Sequence, residues 1–364
     1  MRIAQVAPLY ESVPPQLYGG TERIVSYLTE ELVRQGHDVA LFASGDSETR
    51  ARLIAPCRQA LRLSGGIDCL AHHVVMLEEI FRRINEFDFV HFHIDYIHFP
   101  LSRRFGRPQV TTLHGRLDLP DLVPLYREFP EMPVVSISNS QREPLPWLRW
   151  IDTVYHGLPE HLHICGSGQG PYLAFVGRIS PEKGVDHAIE IAGRAGLPLK
   201  IAAKIDAADR MYYEEVIRPL LDQPHVELLG EVNEREKDEL LGGARGLLFP
   251  IDWPEPFGLV MIESLACGTP VIAFRRGSVP EVLEHGRTGF VCDTVEEAVA
   301  AVARLPEISR QECRRGFEER FSARRMARDY ITLYERLIKE AASHGGDPGS
   351  AGALYHSGHR AGLG

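Results

Sequence analysis

Long apolar runs are missing from this chain. No stretch approaches the ~20 residues that cross a bilayer as a helix, so no transmembrane segment is expected. The first residues, MRIAQVAPLY, are a short apolar strand broken by Pro8 and lack the long apolar core of a secretory leader. No two of the six cysteines, Cys57, Cys69, Cys165, Cys267, Cys292 and Cys313, form a Cys-x-x-Cys pair, so they read as reduced, mostly buried thiols of a cytoplasmic protein. Positive charge is also in short supply. With 40 Lys+Arg against 50 Asp+Glu the net charge is −10, and nucleic acid, which needs a basic surface, is not an expected partner. There are five lysines and none precedes Lys183, so the first half carries its positive charge on arginine alone. Membrane association has no support beyond a local patch at Arg103, Arg104 and Arg107. Gly-x-Gly-x-x-Gly does not occur, which disfavours a nicotinamide-dependent oxidoreductase, and there is no Walker-type Gly-Lys-Ser/Thr. Asp-x-Asp is absent too, and with it the usual acidic signature of metal-dependent sugar-nucleotide transferases.

What is present is ordinary globular composition, 44% hydrophobic and 25% charged over 364 residues. Domains cluster near ~100–200 residues, so two are expected. Short apolar runs alternate with amphipathic stretches. Residues 2–7, 37–44, 87–93, 108–114 and 133–138 read as strands. Residues 22–35 read as a helix with Val25, Leu28, Leu32 and Val33 on one face and Gly36 just past its end. After the Gly/Pro-rich stretch 157–171 the pattern restarts, with strands expected at 172–178, 199–204, 225–230, 246–250 and 270–274. Strands separated by helical segments imply parallel βαβ units, and near-continuous apolar strands fit sheets covered on both faces. A boundary is placed within 157–170. A last helix is expected around 322–341, and the Gly/Ser/His-rich residues 343–364 read as a disordered tail.

In open parallel sheets ligands bind beyond the carboxyl ends of the strands, so the residues just after each strand matter most. The strongest signal is EPFGLVMIESLACGTP (255–270). Glu255 precedes a helix that begins near Phe257-Gly258, and Glu263 lies about two turns inside it, which puts the carboxylates about 8–12 Å apart. That spacing suits hydroxyls on two different sugars of one ligand, and the helix N-terminus between them suits a diphosphate. A bare Glu-x7-Glu would equally describe a capped surface helix; PFG and ACGTP in register favour the ligand site. In FVGRISPEKG (175–184), Arg178 and Lys183 place two cations on a tight loop, either to stabilise a leaving diphosphate or merely as solvated charges. Gly19-Gly20-Thr21 opens the first helix, as a phosphate approach or simply a turn. His91 and His93 share one face of a strand and read as hydrogen-bonded packing residues more readily than as metal ligands. His114 ends a strand and faces the expected cleft.

Together with VYHGLP (154–159), LLGEV (228–232), GSVPEVLEHGRTGFV (277–291) and FSARRMARDYITLYERL (321–337), these segments resemble glycosyltransferase family 4, the retaining group 1 enzymes of GT-B fold, over about residues 1–340. The resemblance implies two Rossmann-like α/β domains with parallel sheets facing a central cleft. An acceptor-side domain would span 1–160, a nucleotide-sugar domain 170–318, and a helix over 319–341 would cross back to the first. It also implies roles. Arg178, Lys183 and the backbone at Phe257, Gly258 and Leu259 would hold the donor diphosphate. Glu255 would hold the donor sugar, Glu263 the ribose, and the base would lie near Val232. Gly19 and Gly20 would approach the phosphate or sugar, and His114 would touch the transferred sugar. His156 stands where many members carry asparagine, and Ala203-Lys204 where a glycine is common, which leaves the choice of donor sugar open. The expected reaction moves a sugar from a nucleotide-diphosphate-sugar donor to a hydroxyl acceptor, a glycan, lipid-linked sugar or small molecule, with no cofactor and no metal. The alternatives are a GT-B nucleotide-sugar epimerase, an oxidoreductase, and a non-catalytic nucleotide-sugar sensor.

Overall fold

The computed structural model describes residues 1–16, 19–62 and 68–344. Two wholly parallel sheets organise them. The first contains β1 (Arg2–Val6), β2 (Asp38–Phe42), β3 (Arg52–Ile54), β4 (Phe89–Phe92), β5 (Gln109–Thr112), β6 (Val134–Ser136) and β7 (Trp150–Thr153), in the order β3-β2-β1-β4-β5-β6-β7. The second contains β8 (Leu173–Arg178), β9 (Leu199–Lys204), β10 (Val226–Gly230), β11 (Gly246–Phe249), β12 (Val271–Phe274) and β13 (Gly289–Cys292), in the order β10-β9-β8-β11-β12-β13. Every residue of β4, β11, β12 and β13 is buried, as helices on both faces of a sheet require. In each sheet the chain winds outward from its first strand, then returns to that strand's other side. β4 lies beside β1, and β11 beside β8. A crevice opens at such a reversal.

The strands expected from the apolar runs are all present, and three more, β3, β7 and β13, sit at sheet edges. The first helix runs Gly20–Arg34, two residues ahead of its expected start, and Gly36 behind it adopts φ 87°. The last helix, Ala323–His344, returns to the first sheet. Gly157 lets it turn back, because a Cβ there would lie 2.4 Å from the carbonyl oxygen of Ser322. Tyr334 then stacks on Phe89 of β4 at 4.4 Å between ring centres. A second tie joins the halves. The Glu281 carboxylate accepts from the backbone N–H groups of Asn139 and Ser140 at 2.7 and 2.8 Å and from the Tyr155 hydroxyl at 3.0 Å. Of the tail expected at 343–364, Ser343 and His344 continue the last helix, and the remainder lies outside the described residues.

Candidate active site

The two crevices face each other across one cleft of about 1000 Å³, and all eleven residues singled out above line it: Gly19, Gly20, His114, Arg178, Lys183, Val232, Glu255, Phe257, Gly258, Leu259 and Glu263. On the second domain a helix N-terminus opens on the cleft. Gly258, at φ 77°, makes the left-handed turn from which the Leu259–Ala266 helix starts, and no side chain caps that helix. A Cβ on Gly258 would come within 2.7 Å of Met261 Cε and 3.2 Å of the Phe249 ring. Opposite it the Gly20–Arg34 helix also starts at glycine without a side-chain cap. A Cβ on Gly20 would meet Leu259 Cδ1 at 3.6 Å, so the two helix N-termini stand close across the cleft. Helix N-termini without side-chain caps offer backbone N–H groups to an anion.

The cations come from one loop. Arg178 ends β8 and is held by Glu182 at 2.5 Å, Asp209 at 3.4 Å and Asp206 at 3.7 Å. Lys183 reaches Glu255 Oε2 at 2.5 Å, and the same oxygen accepts from Trp253 Nε1 at 3.1 Å. Gly184 makes the approach possible. At φ 67° it presses on the end of β11, where a Cβ would lie 2.1 Å from the Pro250 oxygen.

The two glutamates of the eight-residue spacing therefore face separate cations. Glu263 is buried and pairs with Lys237 Nζ at 2.6 Å. Burial would raise its carboxyl, but Lys237, His163 and Arg23 outweigh that and hold it below the usual value. Lys237 also reaches Glu234 at 3.2 Å, and Arg23 of the first domain forms an ion pair with Glu234, so charge bridges the domains beside the candidate ribose site. Neither Lys237 nor Arg23 was signalled by a motif. Lys237 lies in NEREKDEL, which reads as a solvated helix face, and only the rarity of lysine in the chain sets it apart.

The histidines form the opposite wall. His91 and His93 lie on one face of β4 with ring centres 3.9 Å apart. All four of their ring nitrogens have protein partners, His91 with Tyr334 and Thr112, His93 with Gln5 and His114, which answers to packing rather than metal binding. His114 borders the cleft, stacks on His156 at 5.2 Å, and is pulled down to about 3 by burial. His156 in turn meets Phe257 edge-on at 4.9 Å, so this departure from the family pattern joins the two walls. Sequence reasoning passed over Asp95. It follows β4 into the cleft with φ 51°, the one positive φ of a non-glycine among the described residues, and the surrounding walls raise its carboxyl to about 6. Two groups bring donor atoms within 4.8 Å of one another, His163 with Asp238 and Cys267, and His163 with Glu234 and Glu263. In the second of these Lys237 already supplies the positive charge.

Two family descriptions match the chain, Glycosyltransferase Family 4 over residues 18–159 and Glycosyl transferases group 1 over residues 166–324. Each covers one of the two sheets. The chain belongs to the family 4, group 1 glycosyltransferases. It is 30% identical over 102 residues to the N-acetyl-alpha-D-glucosaminyl L-malate synthase of Bacillus anthracis, 26% of this chain and 27% of that protein. It is 30% identical over 187 residues to the alpha-maltose-1-phosphate synthase of Mycolicibacterium smegmatis, 46% of this chain and 48% of that protein. The chain thus spans about a quarter and about half the length of these two relatives. It resembles the crystal structure of AviGT4, a glycosyltransferase involved in avilamycin A biosynthesis, with TM-score 0.69, 25% identity, and 93% and 98% of the two chains covered. No helix among the described residues of this glycosyltransferase is long and apolar enough to cross a membrane. Its arginine patch is partly neutralised, since Arg103 is held by Glu128 and Glu131 at 2.9 and 2.6 Å.

Proposed function

We propose that this chain is a retaining glycosyltransferase that moves a sugar from a nucleotide-diphosphate-sugar to a hydroxyl acceptor and needs no metal. The observation that carries this is the division of charge along the cleft. Lys183 pairs with Glu255 at one end of the Leu259–Ala266 helix, and Lys237 pairs with Glu263 inside it. A diphosphate seated at the helix N-terminus would draw Lys183 and Arg178 to its oxygens and release Glu255 toward the donor sugar. Glu263 would hold the ribose hydroxyls, with the base near Val232, while Gly19 and Gly20 close on the phosphate from the first domain. The cations take the place a divalent ion would fill, preorganised where charge develops on the leaving group.

In this reading no side chain serves as nucleophile, and the acceptor attacks on the face the diphosphate leaves. The bond from the anomeric carbon to the phosphate oxygen breaks, the bond to the acceptor oxygen forms, and the acceptor proton passes to the departing phosphate. The protein contributes position, electrostatics and exclusion of water. The relatives' names, a glucosaminyl malate synthase and a maltose-phosphate synthase, agree with sugar transfer to small acceptors. The six cysteines are all free, in keeping with a cytoplasmic setting. A thermal-shift screen of nucleoside diphosphates identifies the donor base, and NMR of the product from the matching sugar donor reads the anomeric configuration. Stabilisation by one diphosphate and a retained anomer are expected. A product inverted at that carbon, or an isomerised donor with no transfer to any acceptor, contradicts the proposal.

A further inference from the structure

The first-domain wall of the cleft carries one acid without a partner. Four charged residues of that domain line the cleft, Glu22, Arg23, Arg62 and Asp95. Arg23 is engaged by Glu234, and Arg62 by Glu11 at 3.3 Å. Glu22 is buried in the first turn of the Gly20–Arg34 helix, where it accepts from backbone N–H groups. Asp95 differs. Among the described residues no donor and no cation meets its carboxylate, and the residue is exposed in the cleft. It lies just past β4, two residues after His93, which hydrogen-bonds His114 of the same wall at 2.9 Å. The surroundings of Asp95 are aromatic. The phenols of Tyr10 and Tyr126 lie within electrostatic reach of it. Tyr96 follows it in the chain and meets Tyr126 edge-on with ring centres 6.2 Å apart. Tyr10 is 43% exposed and Leu70 62%, and both line the cleft. Behind Tyr10 stands His73 of the Cys69–Arg82 helix, its ring 5.1 Å away and kept below its usual value by burial. The titratable groups about Asp95 are thus three phenols and, behind one of them, a neutral imidazole. Desolvation by these walls raises its carboxyl to about 6, so at neutral pH it is still ionised and lacks a counter-charge.

Resting on the transferase reading above, we propose that Asp95 binds the acceptor through a protonated amine, so that the acceptor is an amino sugar or a related polyol that carries an ammonium group beside the hydroxyl to be glycosylated. An ammonium supplies what this wall lacks, a positive charge with three N–H donors, and the faces of tyrosine rings attract the same charge. The carbon skeleton of the acceptor then lies over the exposed Tyr10 and Leu70. The attacked group is still the hydroxyl, because an ammonium has no lone pair with which to attack. Acidic acceptors are rejected, since a second carboxylate would face Asp95 with no cation between them. The two ends of the cleft therefore select by opposite charge, cations of the second domain toward the diphosphate and an acid of the first toward the acceptor.

Carbon NMR of the full chain labelled with ¹³C at the aspartate carboxyls reads the site with no ligand present. The Asp95 signal, assigned by its loss in Asp95→Asn, should titrate near 6. A midpoint at the ordinary value of about 3.9 overturns the proposal, because a partner or bulk water would already satisfy the charge. Asparagine tolerates the left-handed backbone that Asp95 adopts, so the variant should melt with the wild type. Saturation-transfer NMR in the presence of UDP or ADP then compares methyl aminodeoxyglucosides, with the amino group at each ring position in turn, against methyl glucoside and methyl glucuronide. At pH 7.5 at least one amine should bind about tenfold or more tightly than the glucoside, the scale of one charge-assisted hydrogen bond, and the glucuronide more weakly than either. The preference should shrink to within about twofold in Asp95→Asn, and in the wild type it should fade toward pH 5 as the carboxyl takes up its proton. Glucoside or glucuronide binding as tightly as every amine contradicts the proposal, as does a preference that survives Asp95→Asn. Failure of the wild type to bind any nucleoside diphosphate would remove the transferase reading instead, and the carboxyl titration and the amine preference without nucleotide would still decide the role of Asp95.

Discussion

Lys183 and Arg178 are both held by carboxylates, but unequally. Lys183 shares its charge with one glutamate, whereas Arg178 sits among three acids and about a third of its side chain is exposed. Both contacts lie at the cleft surface rather than in a core, so loss of either cation should affect catalysis far more than folding. Lys183→Ala and Arg178→Ala should each lower turnover by about 10²–10³, the scale for one preorganised charge stabiliser, with thermal midpoints little changed. Steady-state kinetics beside a melting curve checks this, and a Lys183→Ala protein of full activity would remove the diphosphate assignment. At this scale the motifs were informative. The strand-end positions of Arg178 and His114 and the spacing of Glu255 and Glu263 pointed to one cleft because those features are local. Lys237 and Trp253 were not legible, because their meaning depends on neighbours that only the tertiary fold supplies. Lys237 meets Glu263 from a helix 26 residues upstream, and its own segment looks solvated.

At the scale of elements, the central strands were legible from their apolar runs because both faces are covered. The strands that escaped, β3, β7 and β13, have three or four residues each and lie at sheet edges. β3 and β7 are largely unburied, so no apolar run marks them. β13 is buried throughout, but GFVC is too short to separate by period from a turn of helix. The Glu234–Gly243 helix shows how one element stabilises another's chemistry. It begins with a reciprocal cap between Asn233 and Glu236 and delivers Lys237 to the buried Glu263. Removing one partner of a buried pair leaves an uncompensated charge, so Lys237→Ala should cost about 3–5 kcal/mol of folding stability. Urea unfolding measures this. A loss under about 1 kcal/mol would mean that water already solvates Glu263.

At the scale of the whole molecule, five histidines, the buried His91, His93, His98 and His156 and the half-buried His114, are held below their free value of 6.5 by desolvation. The folded chain refuses protons that the unfolded chain accepts below that pH. The stability they contribute is complete above pH 6.5 and is lost as the pH falls, by about 1.4 kcal/mol per unit for each ring once the unfolded histidine is protonated. Unfolding followed from pH 7 to pH 5 should therefore steepen with an uptake of more than two protons, and a flat profile would show the rings solvated or charged. If Arg178 and Lys183 neutralise the diphosphate as proposed above, activity should survive EDTA. Complete loss of activity, restored by Mg²⁺ or Mn²⁺, would show that a metal does that work. The sharpest test of how the cleft divides its donor is calorimetric titration of the nucleoside diphosphate into the wild type, Glu263→Gln and Glu255→Gln. If Glu263 holds the ribose, its variant should bind about ten- to a hundredfold more weakly, as expected for a lost hydrogen bond to a charged group. Glu255→Gln should bind as well as the wild type or better, because Lys183 is freed from its carboxylate, while its kcat falls. Equal weakening in both variants would contradict the division of the donor between the two glutamates.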